Sequence, residues 1–438
     1  MFQIAPGPQR DRALAALDRA ALTGVLLSPL LLLHAHGFAE VAIAIVCAAF
    51  LARSALESDW SWASTPWMRA AWAWSLWVIV CSLPIPALHL GEGGMRSLVQ
   101  AVTFPRFPLF VAAMAFWVLR APERRRWMYW SIAASVAYIA VHTVFQFVFG
   151  VNLYGGASGP SGELTGPFGK PRAGPPLARI LLPAIVPVAA AWLAQSGIRP
   201  VAKALLTLIG GVALVLIVGQ RMPLLLTCLG LAVVGALLPR LRWSVAAAGL
   251  AVVILLAASP AVAPKAHHRL VEQFSSQMSH FSSSHYGKLY ARALEIGLQN
   301  PIDGLGAEGF RTGCPDPRYF RASFDGADAT GGGREICWNH PHNYYFEALV
   351  LGGVPGLILF SVMALAFLGA LGKGLWRDPE PLRVALFAAA FIHFWPIAST
   401  TGFTAMPVAG WSFLLLGWGL AEARWPKAAG TPIYPSIS

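Results

Sequence analysis

The chain has 438 residues, of which 56% are hydrophobic and only 12% charged. A water-soluble fold of this length, about three domains at roughly 150 residues each, has too little interior for that much apolar surface. A mean hydropathy of +0.59, with 17 Trp and 24 Phe against 20 acidic residues, places the chain in the membrane class and excludes disordered, collagen-like and small disulfide-framework proteins.

Apolar stretches long enough to cross about 30 Å of hydrocarbon fall near 17–34, 37–53, 67–84, 100–119, 127–149, 176–196, 200–219, 222–239, 243–260, 344–372, 382–399 and 404–422. They predict an all-α, polytopic integral membrane protein with about 12 transmembrane helices. Arg10, Arg12 and Arg19 stand at the head of the first run and no small-residue cleavage site follows it, so the first helix is expected to remain as an anchor. Basic residues recur in every second joint: Arg53 and Arg69, Arg120 with Arg124 to Arg126, Arg199 and Lys203, Arg240 and Arg242, Lys373 with Arg377 and Arg383, then Arg424 and Lys427. That alternation predicts that both termini are cytoplasmic, and it assigns the 32 Lys and Arg to topology, with no nucleic acid as partner.

The opposite side carries the polar material. Residues 1–259 read as helices 1 to 9, residues 260–343 as one long external loop, and residues 344–438 as helices 10 to 12 with a cytoplasmic tail. The loop holds eight basic residues (265, 269, 288, 292, 311, 318, 321 and 334) and eight acidic ones (272, 295, 303, 308, 316, 325, 328 and 335), so it is neutral overall. A connection this long between otherwise tight joints carries function. Leu289, Ala293, Ile296 and Gly297 at helical spacing predict an amphipathic helix ending at Pro301, and the Gly-, Asp- and Arg-rich tract from Cys314 to Glu335 predicts irregular loop.

Where the loop returns to the membrane stands Asn339-His340-Pro341-His342-Asn343-Tyr344-Tyr345. Two His at the mouth of a span fit ordinary surface residues as well as a proton acceptor, imidazole being the group best suited to proton transfer near neutral pH. Arg221, in Gly219-Gln220-Arg221-Met222-Pro223, is the one charge between two apolar spans, a site by default or a snorkelling side chain. Arg292 begins a helical run into Asn300-Pro301, where a surface pair with Glu295 at i+3 is the competing reading.

The Gln-Arg turn, the Arg helix leading into Asn300-Pro301 and Gly304-Leu305-Gly306, and His-Pro-His-Asn before Gly352-Gly353-Val354-Pro355-Gly356 together resemble the bacterial O-antigen ligase and polymerase superfamily. The order and separations carry the resemblance: 71 residues from Arg221 to Arg292 and 50 from Arg292 to His342. Gly166-Pro167-Phe168-Gly169-Lys170-Pro171-Arg172 is similar to the family's loop before the sixth span, although members often have Asn where this chain has Arg172. Lys170 and Arg172 supply charge for a diphosphate or are ordinary solvated cations.

The resemblance implies glycan transfer at the periplasmic face of the bacterial inner membrane. The donor it implies is an undecaprenyl-diphosphate-linked glycan and the acceptor lipid A-core, in the company of membrane lipids and with no cofactor. His342 would be the catalytic base, with Arg221, Arg292, His340, Asn343 and Arg172 binding substrate. No metal is required, and the acidic residues of the loop are spread rather than clustered. Cys314 and Cys337, with His340 and His342, imitate a zinc set; a disulfide between the two, the cysteines outside the predicted spans, is the favoured reading in an oxidising periplasm. The alternatives are an O-antigen polymerase, a protein O-oligosaccharyltransferase and, from another class, a lipid-linked glycan transporter, which Arg106 inside the fourth span supports.

Overall fold

A computed structural model describes residues 8–425 apart from 89, 161, 263, 322–332 and 398–401. The tail beyond 425, the end of the predicted eleventh span, and Asp325 and Asp328 lie outside the described residues. The chain is an all-α membrane protein, and a helix stands at each of the twelve apolar stretches. They are α1 (Pro8–His34), α2 (His36–Glu57), α3 (Pro66–Cys81), α4 (Gly94–Thr103) continuing through α5 (Arg106–Ala113), α6 (Pro122–Phe149), α7 (Gly174–Leu193), α8 (Ile198–Val218), α9 (Arg221–Leu237) and α10 (Arg242–Val262). After the long loop, whose principal helix is α11 (His285–Gln299), come α12 (Tyr344–Gly372), α13 (Pro381–His393) and α14 (Met406–Arg424). Among the described residues, eight helices or continuous helical runs are long and apolar enough to cross a membrane.

Large apolar side chains such as Leu206, Val253, Ile254 and Leu365 stand exposed on the helices, as expected where lipid is the solvent. Two predicted spans end early. The third stops at Cys81, before the Ser82-Leu83-Pro84 turn. The eleventh stops at His393, because Pro396 disfavours helical backbone at Trp395 before it.

The long loop builds a small core from Leu289, Ala293, Ile296, Leu305, Phe310, Cys314 and Tyr319, closed by Val350 of α12. The predicted amphipathic positions of α11 are therefore its buried face. Asn300 ends the helix and donates to the Tyr319 hydroxyl at 3.0 Å.

The segment 301–306 then docks against a break in α12. Gly352 and Gly353 leave the helical region there, Gly353 with φ +63°. The groups freed by the break are taken up: Leu305 N–H donates to Val350 O (2.8 Å), Gly306 N–H to Leu351 O (3.1 Å), Val354 N–H to Pro301 O (2.7 Å) and the Trp77 indole N–H to Gly352 O (2.7 Å). Inside an apolar bundle a broken helix needs such partners. A Cβ on Gly304 would stand 2.4 Å from Val350 O, and one on Gly353 2.5 Å from Pro301 O. Two glycine motifs far apart in the chain thus form one joint.

Candidate functional site

The Gln-Arg turn is set by backbone geometry. Gly219, at φ +76°, ends α8, Gln220 is extended, and Arg221 opens α9. Gln220 donates through its side-chain amide to Pro171 O at 2.7 Å, so the loop carrying Lys170 and Arg172, both exposed, is tied to the same turn. The half-buried Arg221 turns toward the long loop. It donates to Arg269 O (2.8 Å) and Gln273 Oε1 (2.9 Å), and also to Gln277 Oε1.

Tyr286, at the start of α11, has its ring centroid 5.5 Å from that of His342. The two predicted histidines meet, with ring centroids 4.4 Å apart and an interplanar angle of 71°. His342 has φ +54°, a left-handed backbone that in a non-glycine residue costs roughly 1–2 kcal/mol and that marks functional sites. Tyr290 donates to the His342 carbonyl at 3.4 Å. Burial pushes the Tyr290 phenol above its usual value, with a hydrogen bond from Asn343 acting in the opposite direction.

Asn343 is the N-cap of α12. Its Oδ1 accepts from Tyr345 N–H (2.9 Å) and Phe346 N–H (3.2 Å), which fixes the exit angle of the chain immediately after His342.

Arg292 has different surroundings. It is 2% exposed and donates to Gly333 O at 3.4 Å and to Cys314 O, while its guanidinium lies 4.1 Å from the Phe320 ring centroid. Cys314 and Cys337 are joined as a disulfide, Cα to Cα 5.7 Å. Arg292 therefore underpins the disulfide-closed lobe that leads to the histidines. Glu295 accepts instead from Arg321 (2.6 Å) and Gln299 (2.6 Å), and the Arg321 guanidinium holds its carboxyl below the usual range.

Among the described residues no three His, Cys, Asp or Glu side chains gather as metal ligands do. The bonded cysteines cannot act as the thiolates of a zinc set.

Several groups escaped the sequence reading. Arg179, inside the predicted sixth span, donates through Nε to His393 Nδ1 at 3.2 Å and through NH1 to Pro175 O at 2.8 Å. His393 Nε2 pairs with the Ser412 hydroxyl, so Nδ1 accepts, Nε2 carries the proton and the ring is neutral. Tyr344 packs on His393 at 5.5 Å, and Arg179, Pro223 and His393 line a cavity of about 20 Å³, room for roughly one water. The starts of α7, α9 and α12 and the end of α13 therefore meet at one end of the bundle. Glu347 is also buried, one turn into α12, and accepts from Phe403 N–H at 2.8 Å. An ionisable residue inside an apolar span is a signal, and Arg179 carried it. Arg106 pairs with Glu40 at 2.8 Å, so the residue that favoured a transporter is neutralised locally.

Residues 205–361 match the O-antigen ligase family model. The matched segment runs from α8 through the break in α12 and includes Arg221, Arg292, His340, His342 and Asn343; Arg172 lies outside it. No curated protein matches the chain. Members of the O-antigen ligase family are glycosyl-transferring enzymes, and the family implies lipid-linked glycan substrates and membrane lipids.

Proposed function

We propose that this protein is an O-antigen ligase. It would transfer a glycan from undecaprenyl diphosphate to lipid A-core at the periplasmic face of the bacterial inner membrane, with both termini cytoplasmic. The observation that carries the reading is the meeting of His340 and His342, ring centroids 4.4 Å apart, beside the long loop toward which Arg221 turns its guanidinium.

An acceptor hydroxyl attacks the sugar carbon bonded to diphosphate. A new C–O bond forms, the bond to diphosphate breaks, the proton passes to His342 and undecaprenyl diphosphate leaves. A base in this position typically contributes about 10² to 10⁴ in rate. Arg221 is suited to the leaving group because its planar fork pairs with phosphate oxygens and stays charged. Its present partners among side chains, two glutamines, are neutral and exchangeable. Lys170 and Arg172, tied to the same turn through Pro171 and Gln220, add positive charge there. Arg292 acts from beneath, holding the lobe that carries His340 and His342. Asn343 orients His342 by capping α12, and His340 is placed to touch the acceptor.

The deciding experiment mixes purified protein with lipid-linked glycan and lipid A-core without ATP or added metal. The ligated product is expected, and a lengthened lipid-linked chain would make the protein a polymerase instead. His342→Ala should abolish transfer at normal abundance and donor binding. His342→Asn, which tolerates left-handed backbone, should be equally inactive. An active His342→Ala with a dead His340→Ala would reverse the two roles.

A further inference from the structure

Trp338 follows Cys337 of the disulfide and is 56% exposed. Its ring centroid is 6.0 Å from His342, with an interplanar angle of 65°, and 6.2 Å from His285. Tyr286, 44% exposed, flanks His342 at 5.5 Å. The imidazole is therefore bordered by two aromatic side chains that leave much of their surface uncovered. The ring of Trp338 is not set on a flexible stalk: Cys337 is bonded to Cys314, its N–H donates to Arg334 O at 3.0 Å, and Arg292 braces Cys314 from below.

A donor diphosphate belongs by the cationic Arg221. Trp338 borders the base itself, at 6.0 Å from the His342 ring, and it is to the base that the attacking hydroxyl must come.

We propose that Trp338 is a stacking platform for a pyranose of the acceptor and so a specificity-determining residue. This rests on the ligase reading given above. A pyranose presents C–H bonds on one face and hydroxyls at its rim. The electron-rich face of an indole attracts the first, and the ring edge, with its N–H donor, leaves the hydroxyls free to reach polar neighbours. A sugar seated on Trp338 carries its rim hydroxyls toward His342, and His340, 4.4 Å from His342, is placed to receive a second hydroxyl. A platform fixed by a disulfide loses little freedom on binding.

The test uses the full-length protein in nanodiscs, with separate titrations of lipid-linked glycan and lipid A-core. Trp338→Ala should raise the acceptor KM by roughly tenfold to a hundredfold, as for a truncated aromatic anchor, while the donor KM and kcat stay near those of the parent. Trp338→Phe should recover most of the loss. Independently of turnover, saturation-transfer NMR on the unmodified protein with delipidated core oligosaccharide should show transfer to the ring C–H protons of one sugar, lost in Trp338→Ala. A rise in the donor KM alone, or no change in either, would overturn the platform, the second outcome leaving Trp338 as an interfacial aromatic of the kind common at membrane surfaces. If His342→Ala is inactive in the same assay while Trp338→Ala is normal, only the platform fails. An active His342→Ala removes the ligase reading beneath it.

Discussion

Arg221 and Arg292 occupy corresponding places in one motif set, yet their surroundings differ. Arg221 is half-buried at a turn between membrane helices, and the side chains it touches are Gln273 and Gln277. Arg292 is enclosed, donates to main-chain carbonyls at Cys314 and Gly333 and lies over Phe320. Neutral glutamine amides at a surface give way to an anion, whereas backbone carbonyls inside a small core do not. One arginine is thus available to a ligand, and the other is committed to holding the lobe in which the histidines sit.

Alanine at each position breaks the comparison most directly. Arg221→Ala should lower transfer by about 10² to 10³, the cost of removing one donor to developing charge, with an unfolding midpoint close to that of the parent. Arg292→Ala should leave two buried carbonyls without their donor at roughly 1–3 kcal/mol each, so the lobe should become sensitive to protease and activity should fall with it. Lysine should recover part of the Arg221 loss and little of the Arg292 loss, since neither fork geometry nor stacking survives. Equal loss of activity at both sites with intact stability would mean that both arginines meet substrate.

The disulfide is the next largest lever. Joining Cys314 to Cys337, separated by 23 residues, should stabilise the lobe by roughly 3 kcal/mol on chain-entropy grounds. Cys314→Ser with Cys337→Ser should raise proteolysis within residues 314–337 and reduce ligation, while α1 to α10 keep their resistance. Unchanged ligation in that double variant would show that the lobe holds the histidines without its covalent tie.

How much of this was legible in sequence depended on the range of the interaction. Lipid imposes a length and an apolarity on each span, so a helix stands at every predicted stretch, and the spacing of Leu289, Ala293 and Ile296 was enough to give α11 and its buried face. The pairing of Gly304 with the break at Gly353 was not readable, because it joins chain segments through backbone groups that no side-chain pattern announces. For Arg292, spacing suggested Glu295 at i+3; the partner of Glu295 proved to be Arg321, and the carbonyls of Cys314 and Gly333 come from the irregular tract. Arg179 was legible and passed over, a charge inside an apolar run.

A smaller effect concerns the pH dependence of catalysis. A base acts only without its proton, so transfer should climb with rising pH through the titration of the imidazole. Arg221→Lys should keep the same climb at a lower plateau, since the cation there stays charged throughout. A profile flat from pH 5 to 8 in initial-rate measurements would remove His342 as the base while leaving Arg221 with the diphosphate.

The smallest expected effect separates the lobe from the bundle through Glu295. Its carboxyl accepts from Arg321 and Gln299, and the Arg321 guanidinium, the leading influence, holds its folded-state pKa below the ordinary glutamate range. With a depressed folded value, the carboxylate contributes stability that is fully present above its unfolded value and is lost as pH falls through the folded one. The Arg321 side chain is 56% exposed, so screening by water and salt keeps the contribution under about 1 kcal/mol. Acidification from pH 6 to pH 3 should therefore loosen residues 285–321 slightly, seen as faster amide exchange on α11, and Glu295→Gln should remove that part of the pH dependence. The Cys314 carbonyl that accepts from Arg292 carries no titratable proton, so exchange at Cys314 should change less than exchange around Glu295. If the two regions loosen together, the lobe opens as one unit, and the division between a ligand-facing arginine and a lobe-holding one would have to be sought in a larger piece of the loop.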